Sequence, residues 1–564
     1  MTLPKVAYFS MEMALDQSLS TYSGGLGFLA GSHMQSAGYL GLPMVGVTFL
    51  WSYGYYDQRI DQNNNVEVAY VRKHYDFLTD PNITVDVEIF GQNVKVKAFR
   101  VEPKLFGTCP VYLLTTDIPE NSEEIRKISH RLYDGDERIR VSQEIVLGIA
   151  GVRVLLAAGY KFDTLHMNEG HALPAAFELL RIYNGNIEKV KEKTVFTTHT
   201  PVAAGNEVHR VDLLHQAGFF AGASRETAVR LGGEDFSLTV AALRMSRIAN
   251  AVSQLHGLVS NKMWEWVEGK CPITAITNAV NLHYWQDKRI RDAKTSTDLL
   301  DAKIEMKKEL FKYISSQTGK MFDPNVLTIT WARRFADYKR AWLILMDRDR
   351  ISKLLNENKI QLIFAGKFHP DDTMGKEMFN KILHQSTELK NVVVLPNYEL
   401  ELSALLKRGT DVWLNTPLRP FEASGTSGMS ANMNGAIHLS IYDGWTVEGT
   451  FNGINGYSVE YPGLDDDIPW EERHWKDHEY IMNVIENDII PTYYDNKDKW
   501  AYYMRQAVRI SEGYFNSDRM VIEYYNRLYK PIAHRNSSNP DWDDADLHTG
   551  DDANLDAWTY SNIK

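Results

Sequence analysis

The sequence predicts an α/β protein with two doubly wound parallel sheets, because short apolar runs alternate with helix-length segments and this pattern occurs twice. Polar, helix-prone sequence near 285–325 separates the two sets of runs. We therefore expect one domain at 1–285, a second at 286–530 and a central cleft between them. An acidic tail follows at 531–564, where aspartates outnumber basic residues.

The predicted strands of the first half are VAYFSM near the N-terminus, VGVTFLW (45–51), VKVKAFRVE (94–102), VYLLTT (111–116), TLHMNEGH (164–171) and TVFTTHTP (194–201). Those of the second half are VLTITWARR (326–334), QLIFAGK (361–367), NVVVLPN (391–397) and DVWLNTP (411–417). Because ligands bind at the carboxyl ends of strands in open α/β sheets, the polar residues that end these runs are candidate site residues. Two Rossmann-like domains that face each other in this way form the GT-B architecture of glycosyltransferases.

The composition is that of a globular protein, with 44% hydrophobic and 24% charged residues. A formal charge of −12 argues against nucleic acid or an anionic membrane as the main partner. The two cysteines, Cys109 and Cys271, form no disulfide framework and have no metal-ligand spacing, which favours a reducing cytoplasm. We expect no signal peptide, since no basic segment precedes a long apolar run, and no membrane span.

Residues 422–436, EASGTSGMSANMNGA, are too rich in small polar residues to be packed core. The pattern predicts a phosphate-cradling loop that opens a helix. The basic segment RRFADYKR (333–340) directly follows a predicted strand, and in an acidic chain this cluster favours a phosphate clamp over a solvated helix start. YSGGLG (22–27) is either a second anion loop or an ordinary turn.

These segments resemble those of the α-glucan phosphorylases, the family that contains the glycogen, starch and maltodextrin enzymes. AGKFHP (365–370) and PNYELELSALL (396–406) resemble the family's second-domain motifs, and all the matching segments occur in family order. The resemblance implies a retaining glucosyltransferase that acts on the non-reducing end of α-1,4-glucan with phosphate or glucose 1-phosphate. It also suggests that the helical run 497–530 crosses back to the first domain, and a homodimer is compatible with it.

The resemblance assigns site residues in three groups. The catalytic group is His199, Glu422, Arg334 and Lys339. The substrate-binding group is Gly24, Gly25, Leu26, Asn278, Tyr338, Ser424 and Gly425. The group for a phosphate, cofactor or nucleotide pocket is Arg333, Thr426, Ser427, Ser430 and Trp285. No metal is expected, because the spacing of His166, Glu169 and His171 does not match a zinc helix motif.

The sequence departs from the family at position 430. There the family has the lysine that forms a Schiff base with pyridoxal phosphate (PLP), and this chain has Ser430. A hydroxyl cannot form an imine, so the sequence predicts no covalent PLP. By motif, the nearest other lysines are Lys339 and Lys367, to which the family gives other work.

Three interpretations remain open from the residues. In the first, PLP binds non-covalently through Arg333, Lys339 and Thr426, and phosphorolysis continues. In the second, the vacated space holds the nucleotide of ADP-glucose or UDP-glucose, because position 430 lies eight residues after Glu422, the spacing of nucleotide-sugar transferases. In the third, the chain is a silent glucan-binding protein, which the retained sugar and phosphate residues disfavour.

Overall fold

The computed structural model describes residues 3–459 and 468–530, and the acidic tail expected at 531–564 lies outside them. The chain forms a mixed α/β structure with a nine-stranded sheet and a six-stranded sheet, plus two small two-stranded sheets. None of the described helices is both long and apolar enough to cross a membrane.

The strands are β1 (Val6–Ser10), β2 (Met44–Phe49), β3 (Asp57–Ile60), β4 (Val66–Ala69), β5 (Thr79–Ile89), β6 (Gln92–Val101), β7 (Val111–Thr115), β8 (Thr164–Asn168), β9 (Thr194–Thr197), β10 (Val208–Arg210), β11 (Asp235–Ser237), β12 (Ile248–Ala251), β13 (Ile273–Ala275), β14 (Leu327–Ala332), β15 (Ile360–Ala365), β16 (Val392–Leu395), β17 (Val412–Asn415), β18 (Ile437–Ile441) and β19 (Gly456–Val459). Every predicted strand is present. Most strands that the sequence pattern did not indicate, such as β12 and β13, are short, but β5 has 11 residues and was also missed.

The helices are α1 (Gly25–Tyr39), α2 (Pro103–Phe106), α3 (Glu123–Arg126), α4 (Glu137–Ile145), α5 (Gly151–Ala157), α6 (Leu173–Ile182), α7 (Ile187–Lys193), α8 (Val211–Ala217), α9 (Arg225–Gly232), α10 (Leu238–Met245), α11 (Gln254–Met263), α12 (Leu282–Trp285), α13 (Lys288–Asp292), α14 (Ser296–Thr318), α15 (Arg348–Asn356), α16 (Thr373–Glu388), α17 (Leu400–Gly409), α18 (Ser427–Asn432), α19 (Thr446–Gly449), α20 (Trp470–Val484), α21 (Ile490–Asp495), α22 (Lys497–Gly513) and α23 (Ser517–Glu523). α14 is the long helix that precedes the second large sheet.

The nine-stranded sheet has the order β13-β12-β9-β8-β1-β2-β7-β6-β5. Pairing is parallel from β13 to β7 and antiparallel from β7 through β6 to β5. The sheet is therefore mixed, not wholly parallel as the sequence predicted. In β6, buried and more exposed residues alternate, whereas β1 is buried throughout, because only the antiparallel edge leaves one face uncovered.

The six-stranded sheet has the order β16-β15-β14-β17-β18-β19 and is parallel throughout. Its central strands are completely buried. This is the burial expected when helices cover both faces of a parallel sheet. The order reverses direction between β14 and β17, so the loops that follow these two strands open at the position where α/β sheets bind ligands.

The segment after α22 packs against the first half of the chain. The Ser36 and Ser517 hydroxyl oxygens lie 2.6 Å apart, and Tyr529 Oη lies 2.7 Å from His166 Nδ1. Arg247 Nη2 donates to the Tyr529 carbonyl over 2.9 Å. These contacts join the last helical segment to α1 and to the centre of the nine-stranded sheet.

A buried ion pair joins α14 to the second sheet. The ammonium of Lys307 contacts the carboxylate of Asp411 and also donates to Val326 O over 2.8 Å and to Tyr493 Oη over 3.1 Å. Asp411 Oδ2 accepts a second hydrogen bond, from Thr328 N over 2.8 Å. Since both side chains are almost completely buried, neither charge has water as an alternative partner.

We predict that Asp411→Ala lowers the free energy of unfolding by about 3–5 kcal/mol, because it leaves the Lys307 charge buried and unpaired. Glu305→Ala is the control. It removes an exposed ion pair with Lys308, and its effect should be about 0–1 kcal/mol. Chemical denaturation of both variants measures the difference. Equal effects would show that the buried pair does not stabilise this half of the chain.

Candidate functional site

One cavity brings together most of the residues that the resemblance assigned to the site. It has a volume of about 270 Å³ and lies where loops from both large sheets meet. Its lining includes Gly24, Gly25, Leu26, His199, Asn278, Arg333, Arg334, Tyr338, Lys339, Glu422, Ser424, Gly425, Thr426 and Ser427. Residues more than four hundred positions apart in sequence thus share one space.

Two of the assigned residues, Ser430 and Trp285, do not line this cavity. Ser430 is completely buried, and its hydroxyl lies 3.0 Å from the carbonyl of Ser427 and 3.3 Å from that of Thr426, as a donor to both. Trp285 is also buried, packed against Phe28 with 5.5 Å between ring centroids. Because the Ser430 hydroxyl already donates to two backbone carbonyls, its hydrogen is not available to a ligand.

The centre of the site is a buried carboxylate with two cationic partners. Glu422 Oε2 accepts a hydrogen bond from Arg333 Nη2 over 2.8 Å and also contacts the Lys339 ammonium. Burial by itself raises the pKa of Glu422, but the charges of Arg333 and Lys339 outweigh this effect and hold the pKa below its usual value. Glu422 is therefore ionised at neutral pH.

The basic segment 333–340 divides between two environments. Arg340 turns away from the cavity, where its guanidinium pairs with Asp477 at 2.6 Å and donates to the Thr416 carbonyl over 3.0 Å. Arg334 is exposed and lines the cavity, and among the described residues no carboxylate pairs with it. Arg334 is thus the cation that remains available to an anionic ligand.

Three buried polar atoms around the cavity lack a hydrogen-bond partner within the described part of the chain. They are Arg333 Nη1, Asn278 Oδ1 and Ser424 Oγ. Such atoms are uncommon in folded proteins, because an unmade buried hydrogen bond costs about 1–3 kcal/mol. Since all three residues line the same space, a ligand with both donors and acceptors, such as a sugar phosphate, would satisfy them.

The loop at 422–426 requires a glycine at position 425. Gly425 has φ +91°, and a Cβ there would lie 3.3 Å from Arg333 Nη2. A side chain at this position would be strained and would press on the guanidinium that holds Glu422. The glycine therefore permits the close approach of the loop to the end of β14.

His199 follows β9 and acts as a neutral hydrogen-bonding group. Its Nε2 lies 2.7 Å from Asn168 Oδ1, and its backbone N–H donates to the carboxylate of Glu169. Burial of the ring lowers the pKa of His199 to about 3. At neutral pH the imidazole is uncharged, which suits binding of a sugar hydroxyl better than proton transfer.

Backbone N–H groups of the glycine-rich turn before α1 already donate to a carboxylate of the chain itself. Glu12 Oε2 accepts hydrogen bonds from Ser23 N over 2.6 Å and from Gly24 N over 3.1 Å. These two N–H groups are therefore occupied within the chain, which favours the ordinary turn, the second of the two alternatives, for this part of the segment. The turn still lines the cavity through Gly25 and Leu26.

The sequence reasoning did not assign to the site several residues that line the cavity. Lys367 and Tyr398 belong to the segments AGKFHP and PNYELELSALL, so a signal for them existed. Tyr55 lies in the loop after β2 and carries no motif. Neither of the two lysines that lie nearest to position 430 by motif has a free ammonium. Lys339 contacts Glu422, and Lys367 Nζ lies 2.8 Å from Glu399 Oε1.

A second cavity, of about 540 Å³, adjoins the first and shares Leu26, His199 and Arg334 with it. Its lining is polar and includes Glu207 and His209.

Glu144, Glu207 and His209 place potential metal-ligating atoms within 4.8 Å of one another, and the last two of these residues line this second cavity. Arg140 pairs with Glu207 there and supplies positive charge.

His166, Glu169 and His171 do not converge on one point. His166 Nδ1 and Nε2 each lie 2.7 Å from a hydroxyl, those of Tyr529 and Thr197. The Glu169 carboxylate accepts from Thr200 Oγ1 over 3.2 Å. Both ring nitrogens of His166 and the Glu169 carboxylate are thus engaged in hydrogen bonds inside the fold.

Comparison with known proteins relates this chain to enzymes of glucan metabolism. A family model described as carbohydrate phosphorylase matches residues 245–452. Maltodextrin phosphorylase of Thermococcus litoralis is 35% identical over 93% of this chain and 70% of its own length. Glycogen phosphorylase of Aquifex aeolicus is 32% identical over 93% of this chain and 86% of its own length. The uncharacterized protein MJ1631 of Methanocaldococcus jannaschii is 46% identical over 93% and 99%, respectively.

Asp443 supports the loop from behind the cavity. Its Oδ2 accepts from Glu422 N over 3.0 Å, and its Oδ1 accepts from Gly444 N over 2.8 Å. Complete burial raises the pKa of Asp443 to about 8, an effect to which the nearby Glu422 charge adds. Asp443 is therefore largely protonated at neutral pH.

We predict that Asp443→Asn removes part of the pH dependence of stability. Because the folded-state pKa of Asp443 is raised from 3.8 to about 8, its contribution is fully present below pH 3.8 and is lost as the pH rises towards 8. The wild-type unfolding free energy should thus fall with pH by up to about 1.4 kcal/mol per unit relative to the variant. Denaturant titrations across this window measure the slopes. Parallel slopes would contradict the prediction.

Proposed function

This chain belongs to the carbohydrate phosphorylase family, and we propose that it is a retaining glucosyltransferase that transfers glucosyl units between the non-reducing end of α-1,4-glucan and phosphate. The proposal includes a GT-B arrangement with Rossmann-like domains at 1–285 and 286–530. The two large sheets, and a cavity lined from both, support that arrangement. With both cysteines present as free thiols, the proposal places the enzyme in a reducing cytoplasm.

One observation carries the proposal: a free cation and unpaired polar atoms surround a fixed carboxylate in a single cavity. Glu422 is held by Arg333 and Lys339, while Arg334 remains without a carboxylate partner among the described residues. Asn278 Oδ1 and Ser424 Oγ are buried and unbonded in the described structure. This combination of groups fits a sugar with hydroxyls at one end and a phosphate at the other.

In this proposal, some of the site residues bind the sugar and others bind the phosphate. Glu422 and Asn278 accept hydrogen bonds from sugar hydroxyls, and the neutral His199 adds another contact. Arg334 and Lys339 orient the phosphate on the face from which the glucan departs, which retains the anomeric configuration. Positive charge that is fixed before the reaction stabilises the developing charge without reorganisation.

The residues present also fit the phosphate group of PLP. Arg333 Nη1 is a buried donor without a partner in the described structure, and Thr426 lines the same space. When bound, PLP supplies a second phosphate that exchanges a proton with the substrate phosphate. The chain holds that group through Arg333 and Thr426 in this proposal, and Ser430 takes no part in its capture.

The second candidate function is transfer from ADP-glucose or UDP-glucose. It assigns the space of PLP to a nucleotide and gives Ser430 a contact with the nucleoside. The Ser430 hydroxyl donates to the Thr426 and Ser427 carbonyls, and this geometry favours glucose 1-phosphate over a nucleotide sugar as the donor.

The adjoining cavity of about 540 Å³ is the proposed path of the glucan, because polar side chains line it and it shares His199 and Arg334 with the donor site.

We predict that Arg334→Ala reduces transfer activity by about 10²–10³-fold, because it removes a preorganised charge from the reacting phosphate. Folding should be unaffected, since Arg334 is exposed. Arg348→Ala, which removes an exposed arginine that pairs with Glu388, is the control and should retain full activity. The assay measures glucose 1-phosphate released from maltodextrin and phosphate. Equal activity of the two variants would exclude Arg334 from the site.

We predict that glucose 1-phosphate, and not ADP-glucose or UDP-glucose, stabilises the protein against heat. A ligand at about 100 times its dissociation constant stabilises the folded state by about 2.7 kcal/mol, so the donor is identified by a rise in melting temperature. Chain elongation with each donor is measured in parallel. Stabilisation and elongation with a nucleotide sugar alone would establish the second candidate. Glucan binding without transfer from any donor would establish a binding protein.

A further inference from the structure

One buried lysine lacks a polar partner within the described part of the chain. The described structure has five buried lysines: Lys303, Lys307, Lys339, Lys367 and Lys407. Four of them place the ammonium against carbonyl or carboxylate oxygens. The fifth, Lys407, is 1% exposed and makes no hydrogen bond or ion pair with any described residue.

The Lys407 amine lies among aromatic rings. Its Nζ is 3.5 Å from the centroid of Trp285 and 5.3 Å from that of Phe28. The Phe28 ring lines the donor cavity and lies 6.4 Å, between centroids, from Tyr398, which lines it too. The amine is therefore close behind the aromatic side of the cavity.

This position is also close to residue 430. Asn434 Nδ2 donates to the carbonyls of Trp285 and of Ser430, each over 2.9 Å, so the backbone beside Ser430 is tied to the residue whose ring contacts Lys407. Lys407 lies on α17, and this helix packs directly against α18, which carries Ser430. The neighbouring helix thus brings an amine towards the region from which position 430 has lost one.

An ammonium in this environment is unfavourable. Removing an unpaired charge from water is strongly unfavourable, and a cation–π contact offsets only part of that cost. Burial accordingly holds the pKa of Lys407 well below its usual value. The neutral amine that results is the nucleophilic form, as in lysines that react with carbonyl compounds.

We propose that Lys407 supplies the amine that position 430 lacks and captures the aldehyde of PLP. The Lys407 nitrogen adds to the aldehyde carbon, the carbonyl oxygen leaves as water with two protons from the amine, and a C=N bond forms without oxidation or reduction. This inference rests on the proposed function, which brings PLP to the site. It replaces the expectation from sequence that PLP binds without a covalent bond.

The test maps the attachment site directly. The full-length protein is incubated with PLP, reduced with borohydride, digested and analysed by peptide mass spectrometry. We expect one pyridoxyl group per chain, on Lys407, and a Schiff-base absorbance before reduction. Lys407→Met keeps an unbranched apolar side chain against the rings and should lose both signals. Lys353→Met, at an exposed lysine of α15, is the matched control and should lose neither.

A second variant tests the exchange of positions. Lys407→Met combined with Ser430→Lys returns the amine to α18, and the pyridoxyl group should then be found on residue 430. This experiment separates loss of the amine from damage to the fold, because a misfolded chain would show no specific label. Absence of label on residue 430 in a folded double variant, judged by its circular dichroism and melting temperature, would contradict the exchange.

Three outcomes would overturn the inference. A pyridoxyl group on Lys303, Lys339 or Lys367 in the wild type would assign the capture elsewhere. Phosphorolysis by a protein that yields no reduced adduct would refute Lys407 while leaving the proposed function intact. Transfer from a nucleotide sugar by a protein that does not bind PLP would refute both.

Discussion

The site depends on the ion pairs between Glu422 and its two cationic partners, Arg333 and Lys339. Arg333 follows β14, Lys339 lies in the turn beyond it, and Glu422 begins the loop that leads into α18. Taking three charges out of water is unfavourable unless they meet in a good geometry. The contact therefore fixes the loop against the end of the sheet and leaves Arg334 as the cation that faces the open cavity.

The surrounding structure is arranged to hold this contact. Gly425 allows the loop to pass close to the Arg333 guanidinium, and Asp443 accepts the backbone N–H of Glu422. The raised pKa of Asp443 follows from the same constraint, since a second full negative charge beside Glu422 would be unfavourable in a buried setting. One carboxyl group is thus ionised and the other largely protonated, although they lie in the same loop region. Their environments, and not their residue types, set this difference.

The structure accommodates the serine at position 430, which our proposal assigns to a cofactor region. Ser430 satisfies its own hydroxyl within α18, so the substitution leaves no unbonded donor behind. The neutral amine proposed for cofactor capture comes instead from α17, where it lies between aromatic rings. Because α17 packs against α18, a functional group on one helix lies near the neighbouring helix. Family membership and the loss of a signature residue are therefore compatible.

The sequence by itself determined the predicted strands, the Gly/Ser loop at 422–436 and the basic segment at 333–340, because apolar periodicity and local composition are properties of contiguous residues. Only the tertiary structure decided which members of those segments share the cavity. In the folded chain, Arg340 forms a buried ion pair with Asp477. The N–H groups of Ser23 and Gly24 donate to Glu12. The Lys407 amine lies behind the Phe28 ring. Such contacts join residues far apart in the chain, so no local pattern encodes them. They are set by how the helices pack and by the requirement that each buried charge find a partner or lose its proton.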